Sequence, residues 1–191
     1  MGPLALLLTS MALAFPAANA TEEATLAAGR PAIRTLPTDN AAAVSVIGWV
    51  DARATADQVW KVLLDFPGRK ATNPQMTEIR AYRPAAGADQ WWAFTVTKFG
   101  MSVVYHNHYY LDRAANRLKH DLDTTQTNDL RANTGVYEVG ACTTTAAPCT
   151  RLAWSVETDF GRALPSMIRT WLGRAAVEGF LLDVAARAPR Y

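Results

Sequence analysis

Apolar and polar residues alternate through the middle of the chain and predict short strands between two helical segments. The pattern opens with a strand over Val44–Ala52 and a helix over Ala56–Phe66, and it closes with a long amphipathic helix from Leu164 to Ala188. The strands predicted between them are Met76–Arg83, Trp91–Lys98, Met101–Asp112, Arg117–Thr125, Arg131–Ala141 and Arg151–Phe160. Short turns join most of these strands. We therefore predict an α+β fold in which a curved antiparallel sheet wraps around the C-terminal helix and leaves a cavity between them.

The predicted turns set the register and divide the strand residues into two faces. Phe99-Gly100 forms a two-residue turn, and a four-residue turn pairs Asp112 with Arg117. The mostly apolar face is expected to point inward. On these two hairpins it contains Trp92, Phe94, Val96, Val103, Tyr105, Asn107, Tyr109, Leu111, Leu118, His120, Leu122 and Thr124. Pairing Cys142 with Cys149 adds Gly135, Tyr137, Val139, Leu152, Trp154 and Val156. A slip of one residue would reverse every one of these assignments.

The final helix carries an apolar stripe that we expect to face the sheet. Pro165 suits its first turn, and no further proline occurs up to Arg187. At three- and four-residue spacing the stripe contains Leu164, Ile168, Trp171, Leu172, Ala175, Gly179, Leu182 and Ala186. Small residues near its middle leave room either for close packing or for a ligand. On this interpretation Ile168, Leu172 and Gly179 face the cavity.

The N-terminal 43 residues have a different character. Leu4–Phe15 is an apolar run followed by Ala18-Asn19-Ala20, so residues 1–20 are expected to be a secretory signal peptide, although residues 2–20 contain no lysine or arginine. The run is shorter than the roughly 20 residues that span a bilayer. Residues 21–43 show no sustained period and are expected to form a flexible arm. Residues 44–188 are expected to be one domain, and the protein to be periplasmic or secreted.

Charge and cysteine content limit which partners, metal sites and disulfides the sequence can be expected to have. The formal net charge is +2, and no basic patch with interleaved aromatic residues is present, so a nucleic-acid partner is not expected. After export, Cys142 and Cys149 are expected to form a disulfide across a hairpin, with two unpaired thiols as the alternative. Two cysteines with no nearby histidine do not provide enough ligands for zinc, so no metal site is expected there.

The histidines have both structural and functional interpretations. His106 and His108 are predicted on the outer face beside Asp121 and Asp123, where solvated side chains are favoured over a metal site. His120 is predicted to point inward, where it needs a hydrogen-bond partner. The candidate partners are Tyr105, Asn107 and Tyr109. His120 is then a satisfied core residue, an anchor for a ligand, or a general acid or base. No Gly-x-Ser-x-Gly, His-Glu-x-x-His or phosphate-binding loop is present in the sequence.

The order of elements allows a family to be named. The strand Val44–Ala52, the helix Ala56-Asp57-Gln58-Val59-Trp60-Lys61-Val62-Leu63-Leu64-Asp65-Phe66, the Gly135-Val136-Tyr137 strand and the long C-terminal helix resemble the START-like (SRPBCC) superfamily. The polyketide cyclase/dehydrase and lipid-transport families are the most similar. The resemblance covers residues 44–188 and implies a helix-grip fold. It implies binding of lipids, hormones, quinones or polyketides, and it carries no shared catalytic residues.

We therefore expect an exported carrier that encloses a lipid, sterol, quinone or aromatic compound. The alternative is a cyclase or dehydratase acting on a polyketide-like or aromatic substrate, with His120 as acid or base. A third interpretation is a domain filled by its own side chains that binds a partner on its outer face. The expected ligand-binding residues are Trp92, Phe94, Tyr105, Asn107, Tyr109, His120, Leu122, Tyr137, Trp154, Ile168, Leu172 and Gly179. No cofactor is expected, the carrier is expected to be a monomer, and transient membrane contact is compatible with it.

Overall fold

Eight antiparallel strands form one sheet in the computed structural model, which describes residues 15–98, 100–142, 148–161 and 166–191. The strands are β1 (Ala32–Leu36), β2 (Ala43–Ala52), β3 (Met76–Ala86), β4 (Asp89–Lys98), β5 (Met101–Asp112), β6 (Arg117–Leu122), β7 (Ala132–Ala141) and β8 (Thr150–Asp159). The helices are α1 (Ala20–Ala27), α2 (Ala56–Leu64), α3 (Arg69–Thr72) and α4 (Ser166–Arg187), followed by a 3₁₀ turn at Ala188–Arg190. The sheet order is β1-β2-β8-β7-β6-β5-β4-β3. The predicted antiparallel sheet and long C-terminal helix are confirmed.

The strand register is the predicted one. Asp112 pairs with Arg117, and Lys98 pairs with Met101 across the first turn. In the last hairpin Ala141 pairs with Thr150, and Cys142 and Cys149 form a disulfide with their Cα atoms 5.7 Å apart. The turn residue Phe99 and residues 143–147 lie outside the described ranges. Because the register holds, one side of every central strand faces the helices.

Helix α4 packs on the sheet through a stripe other than the predicted one. Its buried apolar residues are Val177, Phe180, Leu181 and Val184. Ile168, Trp171 and Leu182 are exposed large apolar side chains, and Gly179 is exposed, so their predicted core-facing placement is wrong. The helix has apolar residues on two sides, and the sequence pattern alone did not show which side meets the sheet. The predicted first residue, Leu164, lies outside the described ranges.

Two glycines set how closely α4 approaches the sheet. A Cβ atom on Gly48 of β2 would lie 2.7 Å from both Leu181 and Val177, and one on Gly173 would lie 2.9 Å from Val44. Such distances are too short for carbon atoms in contact. The helix therefore lies directly against β2, where larger residues would hold it away.

The segment 21–43 contains regular structure where a flexible arm was expected. Strand β1 extends the sheet by pairing with β2, and α1 covers the opposite face of β2 and β8. Leu26 of α1 packs with Ile47 and Trp49, and Arg151 of β8 pairs with Glu23. A helix of eight residues and a strand of five are too short to produce a sustained period in the sequence. The expected signal peptide, residues 1–20, lies mostly outside the described part of the chain.

None of the helices described is long and apolar enough to span a membrane.

Candidate ligand-binding site

A continuous set of aromatic rings lines the space between the concave face of the sheet and the helices. At one end Phe66 stacks on Trp92 with ring centroids 4.7 Å apart and meets Tyr109 edge-on at 4.6 Å. At the other end Tyr137 stacks on Trp154 at 5.0 Å, and both rings contact Phe180 of α4. Rings in such contact present a large apolar surface with polarised edges. This wall suits a flat or extended apolar molecule.

Arg69, the first residue of α3, places a buried positive charge among these rings. The residue is 4% exposed, and its guanidinium carbon lies 4.2 Å from the centroid of Phe66 and 4.8 Å from that of Phe180. Its Nη2 atom donates a hydrogen bond to the carbonyl of Leu63 at 2.7 Å. The buried Nε atom has no hydrogen-bond partner, and among the described residues no carboxylate forms an ion pair with Arg69. A buried guanidinium without a counter-ion is a ready site for an anionic or strongly polarised oxygen.

The turn before α3 holds Arg69 in this position. The carboxylate of Asp65 accepts hydrogen bonds from the backbone of Gly68 at 3.0 Å and from the hydroxyl of Tyr191 at 2.5 Å, and it pairs with Arg187. A Cβ atom at position 68 would overlap the Asp65 carboxylate and the Arg187 guanidinium. With glycine at position 68, the Asp65 carboxylate can contact both the turn after α2 and the side chains of Arg187 and Tyr191. Arg69 follows this fixed turn directly, so its side chain enters the interior from a constrained backbone.

His120 points into the same space, as predicted from the register. It is 2% exposed, and its ring lies 5.2 Å from that of Tyr109 and 5.8 Å from that of Tyr137. Gly135 on the neighbouring strand makes room for it, because a Cβ there would collide with the imidazole. The predicted bond to a neighbouring Tyr or Asn is not found at Nδ1, which is buried without a partner. Burial, helped by the charge of Arg69, lowers the pKa of His120 to about 3, so the ring is neutral at physiological pH.

The surrounding phenols are also neutral. Burial is the main cause that raises the pKa of Tyr105 and of Tyr137, and the nearby positive charge of Arg69 opposes it in part. Neutral phenols can donate a hydrogen bond, and so can the indole Nε1 of Trp154, which is buried without a partner. The interior therefore combines one fixed cation with unpaired polar atoms of Arg69, His120 and Trp154.

A second set of polar side chains on the concave face forms hydrogen bonds among its own members. Asn133 donates to the amide oxygen of Asn107 at 3.3 Å, and Thr158 donates to Asn133 at 3.0 Å. Asn107 in turn lies 3.5 Å from the hydroxyl of Tyr109. These groups are already paired, so they offer a ligand less than the unpaired atoms around Arg69 do.

Most of the predicted ligand-binding residues share the concave side of the sheet. The pairings put these on that side: Trp92, Phe94, Tyr105, Asn107, Tyr109, His120, Leu122, Tyr137 and Trp154. On α4 the assignments were less accurate, because Leu172 is half-buried while Ile168 and Gly179 face outward. Arg69 was missed. Its position after Pro67-Gly68 in a four-residue helix gives no periodicity that would distinguish a buried arginine from a surface one.

The outer-face histidines have ordinary partners. His108 bonds Asp89 at 2.5 Å and stacks on Trp91, while the backbone and ring of His106 both bond Asn128. His106 is expected from the sequence to be solvated. It is instead buried, because the loop after β6 covers it. Among the described residues the one group with the spacing of metal ligands is Asp51, Cys142 and Cys149, and the disulfide already occupies both sulfurs.

Two clefts lined by described residues lie away from the aromatic wall. They measure about 360 and 480 Å³ and open on the surface on either side of Tyr191. Neither is lined by a residue of the aromatic wall.

Solved structures share this architecture although the sequences have diverged. No protein-family model matches the chain, and no curated protein matches it. The Zhui aromatase/cyclase from Streptomyces sp. R1128 matches with a TM-score of 0.62 at 19% identity, over 78% of this chain and 94% of that one. A START superfamily protein from Mycobacterium smegmatis matches with a TM-score of 0.62 at 15% identity, over 76% and 97% of the two chains. The chain has a START-like helix-grip fold.

A third solved structure with a similar fold is named as a lipid-transfer protein. The STAR-related lipid transfer protein from Xanthomonas axonopodis matches with a TM-score of 0.62 at 14% identity, over 83% of this chain and 90% of that one. The solved structures with a similar fold thus include both a named enzyme and a named lipid-transfer protein. At these identities the similarity establishes the fold, and the function has to be argued from the site.

Proposed function

We propose that this protein is a carrier for a hydrophobic small molecule that bears an acidic or strongly polarised oxygen. The observation that supports the proposal most directly is Arg69, a buried guanidinium with an unpaired Nε atom and no carboxylate partner among the described residues. A bound carboxylate, enolate or phenolate would supply the missing counter-charge. The rings of Phe66, Trp92, Tyr137 and Phe180 would contact the apolar part of the ligand.

Burial of the apolar part supplies the driving force for such a carrier. Each CH₂ group moved out of water contributes about 0.8 kcal/mol. The loss of freedom of the ligand and of the side chains that contact it opposes binding, so ligands of substantial apolar size are favoured. Similarity to a lipid-transfer protein is consistent with this use of the fold.

We further propose that the carrier works outside the cytoplasm, in a periplasm or a secreted fluid. The disulfide between Cys142 and Cys149 supports this location, since such bonds persist mainly in oxidising compartments. A carrier has a clear purpose there, because water separates the membranes that store hydrophobic molecules.

Paired probes test the role of Arg69. Dodecanoate and dodecanol have the same chain and differ in charge, and Trp92 and Trp154 report occupancy of the interior by fluorescence. Parent protein should bind dodecanoate roughly 10- to 100-fold more tightly than dodecanol, the range expected for a charged hydrogen bond. Arg69→Met should abolish this preference, and Arg69→Lys should retain part of it. Arg190→Met, at an exposed residue beside Tyr191, serves as the matched control and should bind like the parent.

Two results would contradict the proposal of a carrier anchored by Arg69. One is a parent protein that binds neither probe, and the other is a preference for dodecanoate that survives in Arg69→Met. The second result would leave a hydrophobic carrier standing and would remove Arg69 as the anchor.

An enzyme is the second candidate, and His120 is the observation that favours it. Its unpaired Nδ1 atom and the charge of Arg69 act in one aromatic-lined space, and an aromatase/cyclase shares the fold. Against this candidate, a general acid or base works best with a pKa near the operating pH, and the pKa of His120 is about 3. A His120-dependent turnover of a polyketide-like substrate would support the enzyme over the carrier.

A further inference from the structure

The larger of the two surface clefts, of about 480 Å³, is lined by two positive side chains from distant parts of the chain. Lys61 belongs to α2 and Arg113 to the turn between β5 and β6, and both are exposed. Leu64, Asp65 and Tyr191 complete the lining. We propose that this cleft binds the phosphate monoester group of a small organic molecule. The cleft lies away from the aromatic wall, so this inference does not rest on the proposed carrier.

The guanidinium of Arg113 is held in place before any ligand arrives. Its carbon atom lies 4.6 Å from the centroid of the Trp60 ring, and Trp60 is only 2% exposed. The turn is fixed as well, because the carbonyl of Arg113 accepts a hydrogen bond from the backbone of Asn116 at 3.2 Å. Contact through the face of a guanidinium leaves the N–H donors on its edge available, and two of them match two oxygens of a phosphate. Little side-chain freedom is then lost on binding.

The two cations have no acidic partner in the parts of the chain that the structure describes. The salt bridges found there include neither Lys61 nor Arg113. Asp65 is the acidic residue of the lining, and its carboxylate is already engaged by Arg187 and by the hydroxyl of Tyr191, at 2.5 Å. A phosphate monoester carries a charge of about −1.5 to −2 at pH 7 and has three acceptor oxygens. One such group can therefore pair with both cations, whereas a carboxylate has a single charge to share between them.

The size and the apolar part of the cleft favour a small organic molecule over a bare ion or a protein. Small-molecule sites have volumes of roughly 300–1,000 Å³, and the cleft falls within this range. The half-buried Leu64 and the exposed ring of Tyr191 can contact the group that carries the phosphate. Five lining residues offer far less surface than the roughly 800 Å² that each partner contributes to a stable protein–protein interface.

An amide NMR titration of the full chain with phenyl phosphate and phenyl sulfate tests the proposal. The two probes share a ring and a tetrahedral anion, but the phosphate carries the larger negative charge at pH 7. Parent protein should bind phenyl phosphate roughly fivefold more tightly than phenyl sulfate, the upper range for one exposed ion pair. Lys61→Gln and Arg113→Gln should each weaken binding of phenyl phosphate by roughly fivefold and remove most of that preference. Lys119→Gln, at an exposed lysine of β6 that does not line the cleft, removes the same charge and should bind like the parent.

Three results would overturn the proposal. The first is a parent protein that binds phenyl phosphate no more tightly than phenyl sulfate, or binds neither probe. The second is an equal loss of phenyl phosphate binding in Lys61→Gln and Lys119→Gln. The third is a loss in Arg69→Met that the cleft variants do not share, since the phosphate would then occupy the interior.

Vesicles of phosphatidylcholine with and without phosphatidate identify the source of the phosphate. If the protein floats with the phosphatidate vesicles and Lys61→Gln weakens this, the cleft binds a lipid headgroup. If the protein binds phenyl phosphate but does not float with these vesicles, the cleft binds a soluble phosphate monoester.

Discussion

Arg69 and His120 share the interior of the molecule but have opposite electrostatic roles. Arg69 is a guanidinium that no carboxylate among the described residues pairs with, while His120 is neutral because burial and the charge of Arg69 both lower its pKa. A second positive charge would be costly beside the first, because both side chains are buried. Together they make a site with one permanent cation and a neutral ring that can either donate or accept a hydrogen bond.

The pKa of His120 predicts how stability depends on pH. The ordinary pKa of 6.5 applies to the unfolded chain and a pKa of about 3 to the folded one, so acid favours the unfolded state that binds the proton. The free energy of unfolding should fall by on the order of 1 kcal/mol per pH unit as the pH drops from 6.5 towards 4.5. Urea titrations at several pH values should show this slope in the parent and lose it in His120→Gln. Equal slopes in the two proteins would show that His120 is protonated in the folded state.

Gly135 offers a direct test of the place that the His120 ring occupies. A Cβ there would lie too close to the imidazole and 2.8 Å from the carbonyl of Ser155, so Gly135→Ala should destabilise the protein by about 1–3 kcal/mol. On the same strand Gly140 has nothing within 4 Å of a Cβ, so Gly140→Ala is the control and should change stability little. Thermal unfolding of both variants makes the comparison. If Gly135→Ala is as stable as Gly140→Ala, His120 does not fill the space opposite this glycine.

At the scale of elements, α4 is held against β2 by close contact through glycines. Gly48 of β2 leaves space for Val177 and Leu181 of α4, and Gly173 of α4 leaves space for Val44 of β2. The sheet thereby buries the stripe that contains Phe180, whereas Ile168 and Leu182 on the other side of α4 are exposed. One helix can thus form the wall of the interior and also present an apolar surface to the outside.

Two glycines of α4 should respond to alanine in opposite ways. Gly179 is exposed and has open space around it, so Gly179→Ala should stabilise the protein by about 0.5–1 kcal/mol through helix propensity. Gly173→Ala gains the same propensity but forces its methyl group against Val44 and Val46, and should be net destabilising by about 1–2 kcal/mol. Urea unfolding of the two variants measures the difference. Destabilisation by Gly179→Ala together with tolerance of Gly173→Ala would place the other side of α4 on the sheet.

The strands could be predicted from the sequence and the face of α4 could not, for physical reasons. Hairpin turns and the alternation of polar and apolar residues fix strand register locally, so Asp112 and Arg117 were paired correctly. A helix with apolar residues on two sides has no such local constraint, and the choice depends on glycines in a distant strand, such as Gly48. Arg69 escaped prediction for a related reason, because its burial follows from Asp65, Arg187 and Tyr191 meeting in space.

At the scale of the whole molecule, the N-terminal segment joins the outer face of the sheet through ion pairs as well as apolar contacts. Glu22 pairs with Arg34, and Arg151 bridges Glu23 and Asp51. The α1 helix thereby covers Ile47 and Trp49, which would otherwise be exposed on the outside of the sheet. The protein therefore has one apolar core on each side of β2.

Acid should weaken the attachment of α1. The hydrogen bond from Arg34 is the main cause that lowers the pKa of Glu22 below 4.5. The stability that the ionised Glu22 contributes is therefore present above pH 4.5 and is lost as the pH falls through the folded-state pKa. Glu22→Gln should lose up to about 1 kcal/mol at pH 6 and should differ less from the parent near pH 3. Hydrogen exchange of the α1 amides at the two pH values measures this. A difference between the two proteins that is constant with pH would contradict the ion pair.

The most direct test of the central claim is native mass spectrometry of the protein purified from its own host. We predict a one-to-one complex with a hydrophobic acid, released on gentle activation, and its absence from Arg69→Met prepared in the same way. Intact folding of the variant is checked by circular dichroism in the same samples. A parent protein that carries no organic molecule and takes up neither dodecanoate nor dodecanol would contradict the account, since its interior would then serve only as a core.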